Sequence, residues 1–207
     1  MLKPETPKKK FLKFIRRRLM AINYSIGRST GYKFQRVTYS RPSTLFVKDR
    51  LEGSLRVIEI GCAAGHNASD MLKKLNVSEF FAVDPYEHAS TGYDDYSTPR
   101  LIWMRKQAES RLQKFQTKVN WIKQLSTEAV DTLEGKFHFI YVDGDHSYDA
   151  VLNDLRNYYR LVEKGCVIAG HDIDQHEVLR AFFDFVKENN IKEFYIKDPD
   201  WIIVKDM

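Results

Sequence analysis

Two cysteines in 207 residues, Cys62 and Cys166, are too few and too far apart in the chain to suggest a disulfide framework or a cysteine metal site. A reducing, cytoplasmic setting is the default expectation for such a chain. No uninterrupted apolar run approaches the roughly 18 to 20 residues that span a bilayer, and no apolar signal-peptide core ends in a small-residue cleavage site. Internal repeats are absent, and so is any low-complexity tract beyond one basic stretch. What remains is a chain of 207 residues, 43% hydrophobic, long enough to bury one substantial core and short for two full domains.

Charge is unevenly placed. The net value is +5, yet Met1 to Arg41 holds twelve Lys or Arg against Glu5 alone, which leaves 21 basic and 27 acidic residues of the chain's 33 and 28 for the rest. An arm of about +11 thus precedes a body of about −6, an asymmetry that marks an interaction segment. Lys8-Lys9-Lys10 and Arg16-Arg17-Arg18 flank Leu12, Ile15, Leu19 and Ile22 at helical spacing, so residues 1–41 read as a basic amphipathic arm. Its uses stay open: an anionic membrane surface with the protein peripheral to it, nucleic acid phosphates, a partner subunit in a homo-oligomer, a lid, or a loose terminus.

From Leu55 the pattern turns to short β-rich runs separated by helical segments, the mark of β-α units around a parallel sheet. Strands are predicted at Leu55 to Ile60, Glu79 to Asp84, Val119 to Lys123, Phe137 to Asp143 and Cys166 to Ala169. Helices are predicted at Gly65 to Lys74, from the Thr98-Pro99 start to Gln116, at Thr127 to Leu133, at Tyr148 to Val162 and at His176 to Glu188. Glu193 to Lys197 and Trp201 to Val204, around Asp198-Pro199-Asp200, form a closing hairpin. Phe182, Phe183 and Val186, with Leu101 and Met104, are expected in the core.

The first strand runs into Glu59-Ile60-Gly61-Cys62-Ala63-Ala64-Gly65, where glycines permit a tight turn and the next helix offers free N–H groups. Alone this suits any nucleotide-like ligand or a plain structural turn. Asp84, nineteen positions after Gly65 at the end of the second strand, adds a carboxylate suited to two ribose hydroxyls. Glu59 would repel a pyrophosphate and favours a cationic, amine-bearing ligand. S-adenosylmethionine, with a sulfonium, an ammonium and a ribose, has that character. His66, in the same loop, reads as a cofactor-side residue.

These features, with Phe137-His138-Phe139-Ile140-Tyr141-Val142-Asp143-Gly144-Asp145-His146-Ser147-Tyr148 and Gly165-Cys166-Val167-Ile168-Ala169-Gly170-His171-Asp172, resemble the class I S-adenosylmethionine-dependent methyltransferases. The similarity covers about Ser54 to Met207 and is greatest to the macrocin-type and novobiocin-type sugar O-methyltransferases. It implies an α/β, Rossmann-like sheet of seven mostly parallel strands with a C-terminal antiparallel hairpin and helices on both faces, in a domain spanning 42–207. By the resemblance Glu59, Gly61 and Gly65 line the methionine end, Asp84 holds the ribose and Ser126 lies near the adenine; Cys62, Ala63, Asn67 and Asp143 are further candidates for cofactor binding. Ala63 departs from the usual glycine of the motif.

Two strand ends place Asp143, Asp145, His146, His171 and Asp172 at the carboxyl edge of the sheet, where open α/β folds bind ligands. A hydroxyl is a poor nucleophile, so an O-methyltransferase benefits from a base or from a divalent ion that lowers the hydroxyl pKa. Metal-dependent relatives imply Asp143, His171 and Asp172 as ligands of Mg2+ or Mn2+ and Asp145 as base. His171 stands where those relatives carry Asp, which favours a softer ion or none, with His146 or His171 itself as the base. Asp145 and His146 could instead cap the helix from Ser147. Tyr86, Tyr93 and Tyr96 are candidates for a substrate-side loop.

The expected function is therefore O-methylation of a small polyhydroxylated acceptor such as a sugar or glycoside. Two alternatives remain at this point: a nucleic-acid methyltransferase that uses the basic arm, and a non-catalytic membrane-associated protein that retains the fold. No Asn/Asp-Pro-Pro-Tyr-like segment of the kind that grips a flipped base is present.

Overall fold

Hydrophobic runs in this chain alternate with helices because each central strand is buried on both faces, and a computed structural model shows the result over residues 40–86 and 98–207. The elements are α1 (Pro42–Arg50), β1 (Leu55–Ile60), α2 (His66–Lys74), β2 (Val77–Val83), α3 (Thr98–Leu112), β3 (Val119–Ile122), α4 (Ser126–Ala129), β4 (Phe137–Val142), α5 (Tyr148–Tyr159), β5 (Val162–Gly170), α6 (His176–Glu188), β6 (Glu193–Lys197) and β7 (Asp200–Val204). Strand order is β3-β2-β1-β4-β5-β7-β6. The first five strands are parallel, and β7 enters antiparallel between β5 and β6. This is the expected Rossmann-like α/β sheet with its closing antiparallel pair.

Strand side chains divide by parity. Ile58, Ile60, Ile140, Val142, Ile168 and Ile203 pack with Val151, Leu155 and Phe182 of α5 and α6. Val57, Phe139, Tyr141, Val167 and Ile202 pack on the other face with Val47 of α1 and Met71 of α2. Burial of this apolar surface, at about 25 cal/mol per Å2, is the main force holding the layers together. Among the described residues no helix is long and apolar enough to cross a membrane.

Several expectations need correcting. The helix predicted over Tyr148 to Val162 ends at Tyr159, because Val162 is needed in the sheet, where it pairs with Phe137. Lys164-Gly165 therefore lies inside β5, at an irregularity where Gly165 takes a φ of +74°. Phe183 is 42% exposed, since the inward stripe of α6 runs through Val178, Ala181, Phe182, Phe185 and Val186. The third long helix tightens into a 3-10 turn over Gln113–Phe115. Helix α1 was not anticipated. The basic arm, except for Ser40 and Arg41, lies outside the described residues, as do Tyr93 and Tyr96.

Helix α1 is fastened by a buried polar latch. Asp200, fully buried in β7, accepts hydrogen bonds from the Ser43 backbone N–H at 3.0 Å, the Ser43 hydroxyl at 2.5 Å and the Tyr141 hydroxyl at 3.1 Å. Burial pushes this carboxyl up, while the Ser43 bonds and the nearby Arg41 and His171 pull it down. Asp200→Ala strands three buried donors, and a loss of roughly 3 kcal/mol is expected in a denaturant titration. An unchanged midpoint would remove the latch from the account.

Candidate active site

The parallel register brings four strand ends level, and the ladder continues one residue beyond them. Asp84 donates its N–H to Ile122 (3.1 Å), Gly61 to Val83 (2.9 Å), Asp143 to Ile60 (2.8 Å) and His171 to Val142 (3.1 Å). Asp84, Gly61, Asp143 and His171 thus stand in a row along one edge of the sheet. That row is fixed by backbone hydrogen bonds, so the groups arrive preorganised.

At Gly61 the backbone has φ +81°. A Cβ there would collide with the Asp143 carbonyl and come within 2.7 Å of Gly144 N, so only glycine lets the loop cross the end of β4. Ala63 adopts φ +46°, the left-handed conformation that its usual glycine would take freely, at a cost of about 1 kcal/mol. Asp84 stabilises that turn: its Oδ2 accepts the Ala63 N–H at 2.7 Å and its Oδ1 accepts the Tyr86 N–H at 2.9 Å. Gly65, at φ +70°, starts α2. Tyr86 is no part of an open substrate loop. It is 7% exposed, and its hydroxyl donates to the Ala63 carbonyl at 2.9 Å, closing the loop from outside.

Glu59 is buried beneath this loop, with Oε1 accepting from Asn67 Nδ2 at 2.9 Å. Its Oε2 and Asn67 Oδ1 are buried without hydrogen-bond partners among the described residues. Two orphaned acceptors on hydrogen-bonded neighbours suit an ammonium, which brings three donors. Burial is the main cause that pushes the Glu59 carboxyl up to about 8, with the Asn67 hydrogen bond opposing it. Cys62, buried next to it, is held as a neutral thiol by burial and by Glu59.

Ser126 opens α4 and is gripped from α5. Tyr158 donates its hydroxyl to the Ser126 carbonyl at 2.7 Å, and the Ser126 side chain hydrogen-bonds Asp154. Asp154 is 3% exposed, and burial pushes its carboxyl up to about 7 against that hydrogen bond. Sequence reasoning missed Asp154, although a signal was available: it occupies the apolar stripe Val151, Leu155, Tyr158 at i+3 spacing.

Across the row, Asp143, His146, His171 and Asp172 converge. His146 Nε2 lies 3.1 Å from Asp172 Oδ2 and 3.6 Å from Asp143 Oδ1; His171 Nδ1 lies 3.0 Å and 3.6 Å from the same two oxygens. Burial would raise Asp172, but the hydrogen bonds from His146 and His171 outweigh it and hold the carboxyl well below its usual range. Asp172 sits at φ +56°, so its backbone is bent to bring it there. Asp143, His146 and Asp172 each present a ligand atom within 4.8 Å of the others. His146 thus joins the expected Asp143 and Asp172 in that group, and the expected His171 lies outside it. Asp145 Oδ1 accepts the Ser147 N–H at 2.7 Å, at the start of α5.

Arg41, which sequence reasoning assigned to the arm, reaches the same edge. Its Nη2 is 3.5 Å from Asp143 Oδ2. Nothing local in the sequence signals this contact, which joins residues 102 positions apart.

Comparison with known proteins accords with this geometry. A methyltransferase-domain family matches residues 58–173, from β1 to just beyond β5. An uncharacterized protein of Acanthamoeba polyphaga mimivirus is 28% identical over 127 residues, covering 59% of this chain and 53% of that protein, so the chain spans about half its length. An rRNA methylase from Streptococcus thermophilus superposes with a TM-score of 0.57 at 13% identity, covering 83% of this chain and 100% of the other. An O-methyltransferase from Bacillus cereus in complex with S-adenosylhomocysteine gives 0.56 at 13% identity, covering 89% and 97%. At these identities the likeness to the two solved structures is one of fold.

Proposed function

The chain belongs to the methyltransferase-domain family matched over residues 58–173, and from that premise we propose that it transfers the methyl group of S-adenosylmethionine to a hydroxyl of a small polyhydroxylated acceptor such as a sugar or glycoside. The observation that carries this reading is the single row Asp84, Gly61, Asp143 and His171, with buried Glu59 near one end and His146 and Asp172 gathered at the other, which leaves one end for a methyl donor and the other for an acceptor. Glu59 and Asn67 would receive the donor's ammonium, Asp84 its ribose and Ser126 its adenine end. Methyl transfer forms a C–O bond as the C–S bond breaks, and the sulfonium leaves as a neutral thioether. The acceptor's proton must leave as well.

That proton falls to the His146, His171 and Asp172 cluster. Asp172 holds both imidazoles in place, which orients a nitrogen as base. A divalent ion held by Asp143, His146 and Asp172 would supply Lewis-acid activation of the hydroxyl, leaving Asp145 to take the proton. Transfer of a labelled methyl group to a panel of sugars and glycosides tests the reading, with an alkali-stable methyl ether as the expected product. Activity that survives EDTA would assign the proton to an imidazole. A chain that loads S-adenosylmethionine but labels no hydroxyl compound would overturn the acceptor class.

A second reading rests on the twelve basic residues of the arm, which suit nucleic acid phosphates. Label entering RNA, with affinity that falls steeply with salt, would favour it.

The free protein holds Glu59 protonated at neutral pH, because burial sets its carboxyl at about 8. With a folded value above the unfolded one, its contribution to stability is lost as pH rises from the ordinary carboxylate range through 8. Docking an ammonium favours the carboxylate, so binding of S-adenosylhomocysteine at pH 7 is expected to release up to about one proton. Calorimetry in buffers of different ionisation enthalpy measures this. Glu59→Gln should abolish the release, and a wild-type chain that binds without it would show that Glu59 does not meet the ammonium.

A further inference from the structure

We propose that β6 is a docking edge for a second copy of this chain, which continues the sheet as an antiparallel β6–β6 seam across a two-fold axis at Tyr195. β6 ends the strand order and, among the described residues, pairs on one side alone, with β7. Alternate N–H and C=O groups on its other side point away from the sheet, and an edge of that kind readily takes up a further strand. This surface is separate from the row of site residues and from the basic arm.

The edge carries exposed aromatic residues on both faces of the sheet. On the α1 face Tyr195, 38% exposed, packs on Phe46 with ring centroids 5.1 Å apart. On the α6 face Phe194, also 38% exposed, lies 6.3 Å from the equally open Phe183. A second sheet edge laid against β6 would cover both aromatic pairs at once.

Charge identifies the occupant. The sequence Lys192-Glu193-Phe194-Tyr195-Ile196-Lys197-Asp198 is self-complementary when run antiparallel about Tyr195. Lys192 then faces the partner's Asp198, Glu193 faces the partner's Lys197, and Phe194 faces the partner's Ile196. Every pair joins residues of like parity, so residues that turn their backbone outward meet residues that do the same. Directly opposite side chains share a face, and the two-fold axis makes each contact twice. Glu193 is already held in place, since Arg50 reaches its two oxygens at 2.7 and 3.1 Å and the Tyr195 hydroxyl donates to Oε1 at 3.0 Å. The sheet's other edge, β3, is bracketed by Lys118 and Lys123, charges of one sign that discourage such pairing.

Sedimentation equilibrium of the full chain tests this. A seam of one short strand and two aromatic pairs is small, so a monomer–dimer equilibrium in the micromolar range is expected. Glu193→Lys and Lys197→Glu each set like charges opposite one another at both symmetry-related contacts, and each is expected to weaken self-association by about 10-fold or more. Mixing the two variants in equal amounts restores lysine against glutamate at both contacts. The mixture is therefore expected to regain dimer that neither variant forms alone. Circular dichroism checks that each variant is folded, and the outer pair, Lys192→Glu with Asp198→Lys, repeats the mixing test at a second position.

A wild-type chain that stays monomeric up to about 100 μM would overturn the proposal. So would a dimer indifferent to both reversals, as association through the basic arm would be, or folded variants that fail to recover on mixing.

Discussion

Gly61→Ala is expected to destabilise the chain by roughly 3 kcal/mol or more and to abolish binding of S-adenosylhomocysteine. Two costs combine. Alanine at φ +81° enters the left-handed region, worth about 1 kcal/mol. Its Cβ would also overlap the Asp143 carbonyl, which is backbone and cannot rotate away. Relief requires β1 and β4 to part where Asp143 N–H meets the Ile60 carbonyl at 2.8 Å, the bond that aligns the donor loop with the acceptor side. A denaturation midpoint near wild type, or retained ligand affinity, would mean that the loop tolerates a different path across the strand end.

Asp172→Asn is expected to lower kcat/KM by about 10^2 to 10^4 while leaving S-adenosylhomocysteine affinity within a few-fold of wild type. Asparagine tolerates the φ of +56° found there, so the backbone should keep its course. What is lost is the charge. Two imidazoles now share an anionic oxygen at 3.0 and 3.1 Å, and a neutral amide holds them weakly and offers a much poorer ligand atom. Steady-state kinetics with the labelled donor measures the first effect and calorimetry the second. Loss of ligand affinity equal to the loss of rate would place Asp172 on the donor side and contradict the division of the row.

Much of this was legible in the sequence because it is local. The apolar run Leu55 to Ile60 and the stripe His176 to Glu188 announce their elements by periodicity, and both have the predicted bounds. Strands end in polar residues where chemistry occurs, so Asp84, Asp143, His171 and Asp172 could be placed on one edge before any coordinates. Ala63 shows a limit of motif reading: the loop keeps its left-handed turn without glycine because Asp84 and Tyr86 hold it. The end of α5 was misplaced because Val162 continues the helical spacing, and only the pairing with Phe137 in the sheet decides otherwise.

The unread parts are those made by distant residues. Asp200 sits in a sequence that reads as a turn, yet it is fully buried because Ser43, 157 positions away, supplies two donors. Arg41 reaches Asp143 only because that latch fixes the start of α1. His146 read as a base or as part of a helix start, and its place beside Asp143 and Asp172 emerges only from its distance to Asp172, at the end of another strand.

In the function proposed, the Glu59 to Gly65 loop and Asp84 form a methyl-donor site. Calorimetric titration of the full chain with S-adenosylhomocysteine tests it most directly. The account predicts a single site whose affinity is lost in Gly61→Ala and whose proton release is lost in Glu59→Gln. Absence of binding to the folded wild-type chain would contradict it.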